Sequence, residues 1–236
     1  MDRVEKGVIP LALANYLLEG AKMINSKAWN WDINIHEYWK KISDEFLPVA
    51  LRWRSDNLSK VLDLGCGIGR NALYLANNNF DVYAFDLSES GLRQLKEEAK
   101  RMNLGVNVKQ GDMLSLPYED DCFDCILAFH SIYHTDYEGL KTVVSEIKRV
   151  LGKGGEIFLT LNSKESDAWK SPSHKKIDQY TIVKDETTEE NVPHTYLSYG
   201  EVLDLLKDFS LSKIQQIFDY WGDKKHAHFF ISCSEE

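Results

Sequence analysis

The segment Asp63-Leu-Gly-Cys-Gly-Ile-Gly69 closes an apolar run and places glycines at three alternate positions. Without Cβ atoms, Gly65 and Gly67 let backbone N–H groups come close to a bound molecule. A strand that ends in such a turn and feeds a helix is a ready ligand site at the switch point of an open sheet. The spacing is GxGxG, whereas a dinucleotide loop is GxGxxG, with its last glycine packing a helix beneath the pyrophosphate. Arg70 stands where that glycine would be, which argues against a nicotinamide dinucleotide. Three carboxylates accompany the loop: Asp63 before it, Asp86 at the end of "DVYAFD" and Asp112 in "GDM". Farther along, "HSIYH" supplies His130, Tyr133 and His134. An imidazole, with an ordinary pKa of about 6.5, is suited to taking up a proton at neutral pH.

Other reactive side chains point elsewhere. His226 and His228 alternate and so share one face of a strand, but no third ligand accompanies them, so no metal is expected. Cys122 and Cys125 form a CxxC without a second pair, and they read as small hydrophobic residues entering an apolar run.

The elements that must position these groups alternate from Lys60 onward. Strands are expected at 61–64, 81–86, 106–109, 123–129 and 155–161. Between them lie helices after Gly69, from a Ser88 cap to about Met102, and over 138–150, where Leu140, Val143, Val144, Ile147 and Val150 form the apolar stripe. This alternation predicts a parallel sheet covered on both faces. A helix over 198–209 and strands at 211–220 and 226–233 follow. Gly222-Asp223 makes the last two strands a hairpin, so one strand must run antiparallel. The fold expected is therefore α/β: a Rossmann-like, doubly wound, seven-stranded sheet, mostly parallel. Residues 162–196 show no sustained period and read as a lid-like insertion. Residues 1–59 read as an N-terminal helical cap, with a helix from Pro10 through Ala21 and four of the six tryptophans (Trp29, Trp31, Trp39 and Trp53). Residues 60–236 make the main domain.

With 28 basic against 37 acidic residues, the net charge of −9 disfavours phosphate backbones and anionic lipid as partners. No run approaches the roughly 20 apolar residues of a membrane span. The four cysteines do not form a disulfide framework. These features predict a cytoplasmic, reduced protein, monomer or homodimer, that binds neither nucleic acid nor membrane.

The glycine loop, the acids and the strand-five segment "EIKRVLGKGGEIFLT", in this order, resemble the class I S-adenosylmethionine (SAM) dependent methyltransferases. The resemblance covers roughly residues 60–161 and implies SAM as methyl donor. It implies that Gly65, Cys66, Gly67 and Gly69 cradle the donor and that Asp63 faces its ammonium. Asp86, with Leu87 beside it, would bind the ribose hydroxyls. Asp112 and Met113 would flank the adenine, and the Phe129 carbonyl would meet the ammonium. His134, His130 and Tyr133 would then be the candidates for catalysis. Trp31, Tyr38 and Trp39 would wall the site, since aromatic faces favour a sulfonium, and His194 and Tyr196 would reach its rim. A small-molecule acceptor is favoured. A non-catalytic SAM-binding sensor and a protein methyltransferase stay open as alternatives.

Overall fold

The computed structural model describes residues 27–33, 37–184, 189 and 191–235. The helix expected over residues 10–21 lies outside them. Seven strands form the expected sheet: β1 (Lys60–Leu64), β2 (Asp81–Asp86), β3 (Asn107–Gln110), β4 (Phe123–Ala128), β5 (Leu151–Ser163), β9 (Ser210–Trp221) and β10 (Lys224–Ser234). Their order is β3-β2-β1-β4-β5-β10-β9, with β10 antiparallel to both neighbours and the other contacts parallel.

Strand alternation sends side chains to two separate apolar layers. Leu62, Leu64, Ile157, Leu159, Leu161, Phe229 and Ile231 meet the stripe of α4 (Tyr137–Val150) and the Val202 and Leu206 side chains from α6 (Tyr199–Leu205) and its end. Val61, Cys125, Leu127, Phe158 and Phe230 face the opposite way. They pack against α1 (Leu47–Ser55), α2 (Arg70–Asn77) and α3 (Glu89–Arg101). Cys122 and Cys125 fall in different layers, which accounts for their spacing without shared chemistry. Trp53 on α1 is fully buried, stacks edge-on against Phe46 and donates its Nε1 to Glu156 Oε2 at 2.9 Å.

Local chemistry starts the helices where the sequence places them. Ser88 Oγ accepts from the Gly91 N–H, Asp136 Oδ1 accepts from the Gly139 N–H, and Ser198 and Glu201 form a capping box. Gly69, at the N-terminus of α2, has φ of +83°, and a Cβ there would run into the Leu95 side chain of α3. Gly69→Ala therefore combines backbone strain with a steric clash, and urea unfolding should show a loss of about 1–3 kcal/mol.

Residues 162–196, expected as a lid-like insertion, carry secondary structure of their own. They hold a four-residue helix, α5 (Asp167–Lys170), and three short strands, β6 (Lys175–Lys176), β7 (Thr181–Val183) and β8 (Pro193–Leu197). β8 pairs in parallel with β5 at Asn162 and Ser163, beyond the point where β4 ends, and β7 and β6 extend it antiparallel. Among the described residues, three short strands thus extend the expected seven-stranded sheet. The physical reason the pattern stayed hidden is length: strands of two and three residues carry no readable period, and β8 is buried on both faces through His194 and Thr195. Of the expected N-terminal helical cap, only residues 27–33 and 37–59 are among those described. Among these described residues, 27–33 form no helix, Glu37–Lys40 is one 3₁₀ turn, and α1 is a full helix. No helix among the described residues is long and apolar enough to cross a membrane.

Candidate active site

The carboxyl ends of β1, β2 and β4 open into a cavity of about 370 Å³. Its floor is the glycine loop, tied to the end of β2 by Gly65 and Cys66 N–H groups that both donate to the Phe85 carbonyl. Asp86 braces the same loop: Oδ2 accepts from Gly67 N and Oδ1 from Ser88 N, each at 2.7 Å. Burial raises its pKa, against the pull of those hydrogen bonds. Each oxygen keeps lone-pair capacity beyond these bonds. Leu87, Asp112 and Met113 continue this lining.

Asp63 and Gly69 do not reach the cavity. Asp63 is 1% exposed beneath the loop, and its Oδ2 has no hydrogen-bond partner among the described residues. Burial pushes its pKa up to about 7, although the Arg70 guanidinium opposes the shift. Gly69 serves the α2–α3 contact instead.

One wall follows β4. The Ser131 hydroxyl donates to the Leu64 carbonyl at 2.6 Å and fixes the turn onto β1. His130 sits at φ of +52°, a left-handed conformation uncommon outside glycine, held by its N–H donating to Thr160 Oγ1 at 2.6 Å. Its Nδ1 lies 3.0 Å from the Tyr133 hydroxyl, and its ring stands edge-on to His228 at 4.6 Å. Thr195 of β8 secures the turn's far end, with its N–H donating to the Tyr133 carbonyl and its hydroxyl to the Thr135 carbonyl. His134 lies between Trp29, at 5.4 Å, and His194, at 4.8 Å. Behind them the Glu189 carboxylate meets Lys184 Nζ at 2.5 Å and lies 3.3 Å from His194 Nε2.

Burial sets the protonation of this wall. It drives His130 and His134 well below the ordinary imidazole value, lowers His194, and brings His228 down to about 4. Burial alone would raise Glu189, but the His194 and Lys184 contacts hold its carboxyl below the usual range. The wall is thus built of imidazoles that burial keeps neutral, backed by one ionised carboxylate.

The roof is aromatic. Trp29, Trp31 and Trp39 pack with ring centroids 5.5 to 6.0 Å apart, and Tyr38 joins Trp39 to Trp221. A Cβ on Gly67 would lie 2.5 Å from the Trp31 ring, so the loop must be glycine to lie under it. Hydrogen bonds strap residues 29–32 to the start of α3: Trp31 N to Ser90 Oγ, Ser88 Oγ to the Trp29 carbonyl, and Gln94 Nε2 to the Trp31 carbonyl. Arg70, in the place of a third glycine, donates to the Tyr38 and Lys41 carbonyls and lies against the Tyr38, Trp39 and Phe129 rings.

Sixteen residues singled out from the sequence therefore line one cavity: Trp31, Tyr38, Trp39, Gly65, Cys66, Gly67, Asp86, Leu87, Asp112, Met113, Phe129, His130, Tyr133, His134, His194 and Tyr196. Sequence reasoning missed Trp29, Arg70, Glu189, Asp219, Trp221 and His228 as lining residues. Trp29 was legible as part of the tryptophan-rich run, and His228 through its alternation with His226. Glu189 gave no signal, because only the folded insertion carries it to His194.

Residues 61–155 match the family model described as a methyltransferase domain. The chain is 30% identical over 96 residues to a probable S-adenosyl-L-methionine-dependent methyltransferase, TehB, of Haemophilus influenzae, a match spanning 41% of this chain and 33% of that protein. It is 28% identical over 142 residues to 27-O-demethylrifamycin SV methyltransferase of Amycolatopsis mediterranei, spanning 55% and 51%. The matches span between about a fifth and about half of the curated relatives' length. In fold it is similar to the PH0226 protein of Pyrococcus horikoshii, with a TM-score of 0.68 at 21% identity over 88% of this chain and 100% of that one. It is also similar to Burkholderia thailandensis 1,6-didemethyltoxoflavin-N1-methyltransferase, solved with bound 1,6-didemethyltoxoflavin and S-adenosylhomocysteine. That TM-score is 0.62 at 16% identity over 95% and 87%.

Proposed function

We propose that this chain, whose residues 61–155 match a methyltransferase domain, is a class I SAM-dependent methyltransferase that transfers a methyl group to a small-molecule acceptor. The observation that carries the reading is the bracing of the glycine loop by Asp86 on the floor of a cavity that the histidine wall also lines. The residues fit the donor. Asp86 offers two oriented oxygens to a vicinal diol, the Gly65–Gly67 backbone lies open beside them, and Asp112 and Met113 extend the same floor. Asp63, with a buried and unpartnered oxygen, supplies negative potential beneath the loop, where a donor ammonium would lie.

Bound SAM supplies an electrophilic methyl on a sulfonium. The remaining tasks fall to this chain. The Trp29, Trp31 and Trp39 roof excludes water and presents aromatic faces to the positive sulfonium. The wall orients the acceptor, and His134 takes its proton where the nucleophile is a hydroxyl, thiol or ammonium. His130 is the second candidate, but its Nδ1 is engaged by the Tyr133 hydroxyl. Burial raises the Tyr133 pKa well above the ordinary phenol value, which keeps its hydroxyl protonated and available as a hydrogen-bond partner. The cavity of about 370 Å³ must hold the donor as well, which leaves room for a small acceptor rather than a peptide.

Isothermal titration with SAM, S-adenosylhomocysteine and NAD tests the reading: the first two should bind and NAD should not. Binding of NAD in place of SAM would overturn it. Asp86→Ala should weaken SAM by about 1–3 kcal/mol, roughly 5- to 150-fold in Kd, the scale for a lost charged hydrogen-bond partner. An unchanged Kd removes Asp86 from the ribose site.

A further inference from the structure

The outer strand β9 is long, and among the described residues it pairs only with β10. None of its twelve residues is buried, and Phe218 and Tyr220 are 46% and 69% exposed. Such an edge offers a row of backbone donors and acceptors and is a template for another strand. Soluble proteins normally blunt it with proline, clustered lysines or inward charges. Over Lys213–Asp219 this strand has no proline, and its two charges stand at the two ends.

We infer that β9 is the contact strand of a two-fold homodimer, in which the strands of two copies pair antiparallel about Gln216. The register follows from the hairpin. The two-residue turn at Gly222-Asp223 makes Trp221 and Lys224 a hydrogen-bonded pair. Alternation then directs the backbone groups of Asp219, Ile217 and Gln215 toward β10, and those of Phe218, Gln216 and Ile214 outward. A two-fold antiparallel pairing must match outward residues with outward residues, which leaves registers centred on Gln215, Gln216 or Ile217 near the strand's middle. Centring on Gln216 sets Lys213 opposite the partner's Asp219, Ile214 opposite the partner's Phe218, and Gln216 opposite itself. Centring on Gln215 sets Lys213 against Ile217, and centring on Ile217 sets it against Trp221, so the lysine meets no carboxylate in either. Only one register is complementary in both charge and apolar surface, and it is complementary to itself, as a two-fold interface requires. Neither Lys213 nor Asp219 has an ion-pair partner among the described residues.

The pairing reaches the active-site rim. Asp219 and Trp221 both line the cavity, so each copy would bring the Lys213 end of its strand alongside the other's mouth. This inference does not depend on the proposed reaction.

Sedimentation of the full chain across a concentration series tests it. The wild type should run at twice the 27.2 kDa chain mass. Lys213→Asp and Asp219→Lys each place like charges opposite one another twice per dimer, and each should weaken association by about tenfold or more. The double variant, Lys213→Asp with Asp219→Lys, rebuilds the opposite pairs and should restore the dimer. Thermal melts of the single variants check that each remains folded. A wild type that stays monomeric, single variants that associate unchanged, or a double variant that fails to recover would each overturn the proposal.

Discussion

Asp63→Asn should make the ligand-free protein more stable at pH 8, by up to about 4 kcal/mol, while leaving it unchanged at pH 3.5. Burial raises the Asp63 carboxyl from 3.8 to about 7. Between those values the folded state holds a proton that the unfolded state has released. Stability from the protonated carboxyl is therefore complete below about 3.8 and is lost as pH rises through 7, with nothing further above that. Roughly three pKa units convert to the quoted 4 kcal/mol. Asparagine keeps the shape without the charge, so its advantage should open between pH 4 and 7 and then level off. Thermal melts of both proteins across pH 3.5 to 9 read this directly. A variant that melts lower than wild type at pH 8 would sink the account. The same substitution should weaken SAM, because the carboxylate's negative potential under the loop is then gone. A stabilised protein that binds its donor poorly is a combination that simple misfolding cannot produce.

His134→Ala should lower turnover by about 100-fold or more, the lower end of what a positioned base contributes, with SAM affinity near wild type. His134 lies on the wall rather than on the donor floor, and burial keeps it neutral. The loss should fall on kcat, and raising the pH should recover part of it, since an acceptor that ionises in solution no longer needs the imidazole. A wild-type rate would make His134 a packing residue between Trp29 and His194. A matching loss of SAM affinity would assign it to the donor site instead.

Much of this site was legible because a few residues do their work locally. The glycine spacing, Asp86 at a strand end and Asp112 after a glycine each announce a backbone geometry within a few residues. The hairpin was readable from Gly222-Asp223, and the helix starts from Ser88 and Ser198. What stayed hidden depends on distant pairing. β8 exists because Tyr196 and Leu197 meet Asn162 and Ser163 beyond the end of β4. The roles of Glu189 and Lys184 follow from that docking. Arg70 was visible only as a missing glycine. Its work as a clamp on the Tyr38–Lys41 turn needed the tertiary contact. Trp53 and Trp29 look alike in sequence, yet one is an anchor in the core and the other lies over the cavity.

Thr195 hydrogen-bonds the backbone of both Tyr133 and Thr135, which bears on how such a protein can acquire a new acceptor. The histidine turn after β4 and the inserted strand β8 are far apart in the chain but form one mechanical part. A new insertion grafted from a relative would arrive without its matching turn and would leave His134 unsupported. Residues 130–135 and 193–197 are thus one unit mechanically, and variation in either segment should be accompanied by variation in the other.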